Sequence, residues 1–212
     1  KDGCVMKQQV IITISREYGC GAREVGDRLA KRLGIPYYDR DLVQKAAERS
    51  GLTPEFIEKT EQRNTGGVFY GTNAAVSTMG GVFPGGSTSL ADQVYLAEFS
   101  VIREIAEREH SCVIVGRCAD AILKNDYRCL NIFLHADFDK RVERAVKVYG
   151  VPADKAERIV KDTDKARAKH YKYYSDQKWG AANNYDISMN MAAFSIDGAV
   201  QILADCVESM MK

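Results

Sequence analysis

The sequence lacks any strong charge imbalance: 30 lysines and arginines face 29 aspartates and glutamates, a formal net charge of +1. A global basic field that would draw the chain to nucleic acid or to a membrane surface is therefore excluded, and anion binding must come from local arrangement. No apolar run approaches the ~20 residues that span a bilayer. The first nine residues, KDGCVMKQQ, have no apolar stretch of the kind found in a secretory signal. The six cysteines (4, 20, 112, 118, 129 and 206) include no CxxC pair and no zinc-like spacing. A structural zinc site or a disulfide framework is not expected, and a reducing, cytoplasmic setting fits such thiols. There is no repeat and no acidic or basic tail.

What is present is an alternation of strands and helices. Val10–Ser15 is continuously apolar and β-branched, the pattern of a strand buried on both faces. A helical pattern runs from about Gly21 to Leu33, with Val25, Leu29, Ala30 and Leu33 on one face and Gly34 as its stop. IPYYDRD predicts a short second strand, and DLVQKAAERSG a helix ending at Gly51. A third helix is predicted to start at Thr53, with Pro54 in its first turn. Residues 64–89 form an almost uncharged stretch rich in Gly, Ser and Thr, read as a flexible loop. A helix over about Leu90–Glu109 leads to a strand in SCVIVGR. A strand in CLNIFLHA, a helix closed by Gly150, a long charged helix, a strand in YDISMNM and a final helix capped by Ser195 complete the chain. This order predicts an α/β fold with a mainly parallel sheet, whose ligand lies beyond the C-terminal strand ends.

At the first of those ends stands REYGCGAREVG. A strand, a glycine turn and a helix offer backbone N–H groups and a helix N-terminus to an anion. Against the phosphate-loop pattern GxxxxGK[ST], Arg16 takes the first glycine, Gly21 the second, Ala22 the lysine and Arg23 the hydroxyl residue. Against the dinucleotide pattern GxGxxG, Gly19 and Gly21 fit and Asp39 stands where a ribose-binding acid would. Glu24, however, takes the third glycine and Gly26 comes two residues late. A plain structural turn is the third alternative. The stretch alone leaves all three open.

Arginines gather at the other strand ends. Arg117 follows VIVG, where a guanidinium can grip a phosphate or carboxylate with two prongs. Arg141 and Arg144 are three apart on one helix, as are Asp164 and Arg167 on the next. The first pair also reads as an ordinary solvated charged face, and the second as a mere salt bridge. Phosphoryl transfer needs a cationic surround of this sort, since its catalysis is mostly positioning and charge neutralisation.

With these residues in view, the chain resembles the cytidylate kinase-like family of P-loop nucleoside monophosphate kinases. The likeness runs from ITISREYGCGAREVGDRLAKRLGIPYYDRDL through VIVGRCADAIL and IFLHADFDKRVERA to DKARAKHY. It implies a single three-layer P-loop kinase domain over 1–212, with a five-stranded, mainly parallel sheet, a small insert and a helical lid at about 137–180. It implies ATP, with Mg²⁺, as phosphoryl donor and a nucleoside monophosphate such as CMP or dCMP as acceptor. The loop Tyr18, Gly19, Cys20, Gly21, Ala22, Arg23 and Glu24 would hold the ATP phosphates. Asp39, Arg117, Asp164 and Arg167 would hold the acceptor, and the lid's Arg141 and Arg144 would close over the transferring group. Arg16 and Arg23 are expected to replace the absent lysine, and Glu24 to meet Mg²⁺ through water. The sequence departs from the family at Ala22, and also at Val160 and Ala145, where further arginines belong.

Overall fold

The computed structural model describes residues 9–55, 57 and 89–211. The stretch read as a flexible loop therefore lies outside the described residues, save for Ser89. The chain order is β1 (Ile11–Arg16), α1 (Ala22–Leu33), β2 (Tyr37–Tyr38), α2 (Arg40–Ser50), α3 (Leu90–Glu109), β3 (Cys112–Val115) and α4 (Ala119–Leu123). It continues with β4 (Cys129–His135), α5 (Phe138–Lys147), α6 (Ala153–Ser175), β5 (Ile187–Asn190) and α7 (Ile196–Met210). Between α2 and α3, a helical turn opens at Pro54, where the Ile57 amide donates to the Thr53 carbonyl at 3.1 Å.

The strands form one parallel sheet in the order β2-β3-β1-β4-β5. The central strand β1 pairs with both β3 and β4, so its C-terminal end is flanked on each side by another strand's C-terminal end. Because successive side chains point to opposite faces, Ile12 and Ile14 enter one core layer with Val25 and Leu29 of α1 and Leu203 of α7. Ile11 enters the other, with Ile102 and Ile105 of α3 and Leu123 of α4. Helices on both faces explain why the strands read as unbroken apolar runs. This is the three-layer α/β arrangement that the alternation predicts.

Several boundaries follow from local chemistry. Gly34 and Gly51 end α1 and α2 in the left-handed conformation, as expected of C-terminal glycines. Ser89 and Ser195 cap α3 and α7 by accepting from the amides of Asp92 and Gly198. The fold differs from expectation in three places. β1 reaches Arg16, one residue further, because Arg16 still pairs with Leu134 of β4. The short helix α4 has no counterpart in the predicted elements, since five residues are too few to show a period. Helix α5 stops at Lys147, three residues before the expected glycine stop.

Candidate active site

The glycine loop joins β1 to α1 at the centre of the sheet. Gly19 and Gly21 both have positive φ, 86° and 90°. Each is also approached closely. A Cβ on Gly19 would stand 2.5 Å from the backbone oxygen of Arg141, and one on Gly21 would stand 3.3 Å from the Arg144 guanidinium. These two glycines are thus required by conformation and by space together. The last turn-forming residue, Gly21, is the N-cap of α1 without any side-chain cap, which leaves that helix end to its own N–H groups. Ala22, at the lysine position, is buried. Cys20 is buried beside it, its thiol on the Leu134 carbonyl at 3.4 Å and pushed up to about 11 by burial.

Arg141 binds the loop from beneath. Its Nε donates to the Ala136 carbonyl at 2.9 Å and lies 3.1 Å from Glu17. Its Nη1 donates to the Tyr18 carbonyl at 3.1 Å and to Asp164 at 2.5 Å. Asp164 in turn accepts from the Tyr18 amide at 2.7 Å, and Glu17 from the Ala136 amide at 3.1 Å. The loop, α5 and α6 are thereby tied into one hydrogen-bonded knot. Arg144 donates to Glu24 at 2.6 Å, and Glu24 also receives Arg28 at 2.6 Å. Glu24, the expected magnesium contact, is therefore gripped by two guanidiniums. No group of three or more His, Cys, Asp or Glu side chains suited to a metal occurs among the described residues.

A second cluster lies toward β3. Asp39, at the end of β2, pairs with Arg23 at 2.7 Å and stands 3.8 Å from Arg16. The Arg16 guanidinium lies over Gly116, where a Cβ would come within 2.8 Å of its Cζ. Arg167 donates to the Arg16 carbonyl at 3.0 Å, and its guanidinium sits 5.8 Å from the Tyr18 ring centre. Burial, with Arg16 nearby, pulls the Arg167 guanidinium down to about 9, and burial lowers that of Arg16 as well. Arg16 and Arg23 thus face Asp39 and the β3 turn in this conformation. The cation beside Gly21 is Arg144.

Arg117 belongs to a third group. The turn after β3 places Gly116, Arg117 and Cys118 in succession at positive φ (79°, 60° and 54°). Two non-glycine residues in that region cost roughly 1–2 kcal/mol each, which the surroundings must offset. Arg117 donates to Glu98 of α3 at 2.5 Å. Glu98 is fully buried, and burial pushes its carboxyl up to about 8, a shift the guanidinium opposes. Among the described residues, the second Glu98 oxygen and both His170 ring nitrogens have no hydrogen-bond partner. His170 lies edge-on to the stacked rings of Tyr95 and Tyr174, and burial brings its imidazole down to about 4.

Sequence reasoning brought Arg16, Arg23, Asp39, Asp164 and Arg167 to one end of the sheet, and there they meet. It missed Glu98, His170 and Glu17. In α3 the apolar Leu96 is 55% exposed while Glu98 is 0% exposed, so the helix periodicity hides the acid. Val160 and Ala145, where arginines were expected, are both fully buried, so arginines there would need the helix packing to change.

A family model described as the cytidylate kinase-like family matches residues 11–193. The cytidylate kinase of Haloarcula marismortui is 22% identical over 201 residues, covering 94% of this chain and 90% of the relative. That of Archaeoglobus fulgidus is 25% identical over 203 residues, covering 93% and 94%. Among solved structures, an uncharacterized protein from Eubacterium ventriosum superposes with a TM-score of 0.67 at 26% identity, covering 95% of this chain and 99% of that one. Shikimate kinase from Bacteroides thetaiotaomicron shares the fold, with a TM-score of 0.54 at 18% identity over 94% of this chain and 99% of its own. The sheet, its flanking helices and the match over most of the sequence agree: this chain belongs to the cytidylate kinase-like family and has a P-loop kinase fold.

Proposed function

We propose that the protein is an ATP-dependent phosphotransferase that moves the γ-phosphoryl group of ATP to a nucleoside monophosphate, with CMP or dCMP as the first acceptor to test. The observation that carries this reading is the loop itself. Gly19 and Gly21 hold the left-handed turn that opens α1, and arginines of β1, α1, α5 and α6 adjoin it. Family membership supports a nucleotide kinase, and the named relatives make CMP the reasonable acceptor.

In this reading the loop amides from Tyr18 to Ala22 and the N-terminus of α1 hold the donor phosphates. Arg144, beside Gly21, adds charge where the lysine is absent, with Arg23 the other candidate. Asp39, Arg117, Asp164 and Arg167 hold the acceptor, and the helical region 137–180 works as a lid. An acceptor phosphate oxygen is already nucleophilic, so it attacks the γ-phosphorus without a protein base. The residues near the loop do not fit a resident magnesium site, because Glu24, Asp39, Asp164 and Glu17 are all held by arginines. Mg²⁺ belongs here only as the companion of ATP.

The test is ADP production across the nucleoside monophosphates and small alcohols. CMP-dependent ADP release supports the reading, and none with any acceptor, in protein that binds ATP, would defeat it. Ala22 and Arg23 in place of the lysine and hydroxyl residue favour a second reading, a nucleotide-binding module without turnover. It predicts that Ala22→Lys restores no transfer.

A further inference from the structure

Arg16 is a mostly buried cation whose carboxylate partner is distant. Its side chain is only 15% exposed, yet its nearest carboxylate oxygen among the described residues is that of Asp39, at 3.8 Å. Asp39 is already engaged by Arg23 at 2.7 Å. Asp164, 4.0 Å from Arg167, is turned to Arg141 and to the Tyr18 amide. Arg16 lies close enough to Arg167 to lower its affinity for the proton, and Arg23 lowers that of both. Arg16 and Arg23 therefore share one carboxylate that Arg23 already engages, while Arg167 has a carboxylate oxygen of Asp164 at 4.0 Å. Gathering cations away from water without matching anions is costly, and a fold that does so offers a place for an anion. The bare Gly116 keeps that place open, since any side chain there would run into the Arg16 guanidinium.

We propose that Arg16, with Arg167 and Arg23, forms a binding site for a phosphate dianion, and that this anion is the phosphomonoester of the phosphoryl acceptor. The residue that replaces the loop's first glycine then serves the acceptor and not ATP. This rests on the kinase reading for the word acceptor, while the anion site stands on the arginine geometry alone. The direction of Arg16 supports the assignment. It leaves the end of β1 toward Gly116 and Asp39, at the ends of β3 and β2. An acceptor without a phosphate would leave this cluster uncompensated, so the site selects phosphomonoesters over neutral alcohols.

The experiment is isothermal titration of the full chain with inorganic phosphate, CMP and ATP, for the unchanged protein, Arg16→Met and Arg16→Lys, with thermal unfolding of each. Arg16→Met is expected to weaken phosphate and CMP about 10- to 100-fold, the range for a lost hydrogen bond to a charged group. ATP affinity should stay within about threefold, and Arg16→Lys should recover part of the loss. Because Arg16 is desolvated beside like charges, Arg16→Met should unfold at the same temperature as the unchanged protein or higher. Unchanged phosphate and CMP affinity, a loss confined to ATP, or a variant that unfolds earlier or does not fold would each overturn the proposal. An unchanged protein that binds phosphate through Arg16 but never binds ATP would uphold the anion site and defeat the kinase reading.

Discussion

Arg141 and Arg16 lie on either side of the same loop, and their surroundings are opposite. Arg141 has two carboxylates and two carbonyl oxygens on its guanidinium. Among the described residues Arg16 has one carboxylate, at 3.8 Å, which another arginine already holds. The first is an internal strut of the loop, and the second faces a gap that an anion would fill. Both are arginines at strand ends or just beyond them, and only the geometry separates them. An arginine's role near a phosphate loop is therefore read from how many of its donors the fold has already used.

The largest effect that sharpens this contrast is on Arg141. Arg141→Ala strands Asp164 and Glu17 in a site where the arginine itself is 8% exposed, and should cost about 3–5 kcal/mol. Denaturant unfolding checks it, and a loss below about 1 kcal/mol would erase the distinction from Arg16.

Arg117 sits between the two extremes, since its partner Glu98 can take a proton. Glu98 is raised to about 8 from an ordinary 4.5, so the folded state keeps a proton that the unfolded chain has released. Stability from this group therefore falls as pH rises from about 4.5 to 8. His170, lowered to about 4 from 6.5, acts oppositely: its contribution rises with pH between about 4 and 6.5. The two offset one another below pH 6.5, leaving a fall between about 6.5 and 8 of up to about 1.4 kcal/mol per pH unit. Denaturant midpoints across that window should show the slope, and Glu98→Gln should flatten it. A slope that survives the substitution would assign it elsewhere.

The smallest effect belongs to charges with no role at the loop. Lys31 pairs with Asp27 at 2.7 Å on α1, and its side chain is 74% exposed. Lys31→Ala should change stability by under about 0.5 kcal/mol and leave phosphate and ATP binding alone. Calorimetry and unfolding on that variant give the baseline against which Arg16 and Arg141 are judged.

The architecture was legible because it rests on local periodicity. Continuous apolar runs marked β1, β3 and β4, and glycines and a serine marked helix ends at Gly34, Gly51 and Ser195. The gathering of Arg16 and Asp39 was legible too, because parallel strands bring their C-terminal ends together, whereas Asp164 and Arg167, on α6, were placed beside them by the family resemblance. The partners were not. Nothing in the spacing says that Glu17 and Asp164 use up Arg141, or that Arg28 and Arg144 both take Glu24, because these contacts span more than a hundred residues or depend on rotamers. Glu98 was hidden for a related reason. A helix face is assigned by its apolar majority, and α3 turns Leu96 outward and this one acid inward.

The most direct test of the account follows the phosphoryl group itself. The full chain is incubated with γ-labelled ATP, Mg²⁺ and CMP, and the nucleotides are separated. The account predicts that the label moves from ATP to CDP, and that an excess of inorganic phosphate suppresses the transfer by competing with CMP. Label that stays in ATP, or appears only as free phosphate whichever nucleoside monophosphate is supplied, would contradict it.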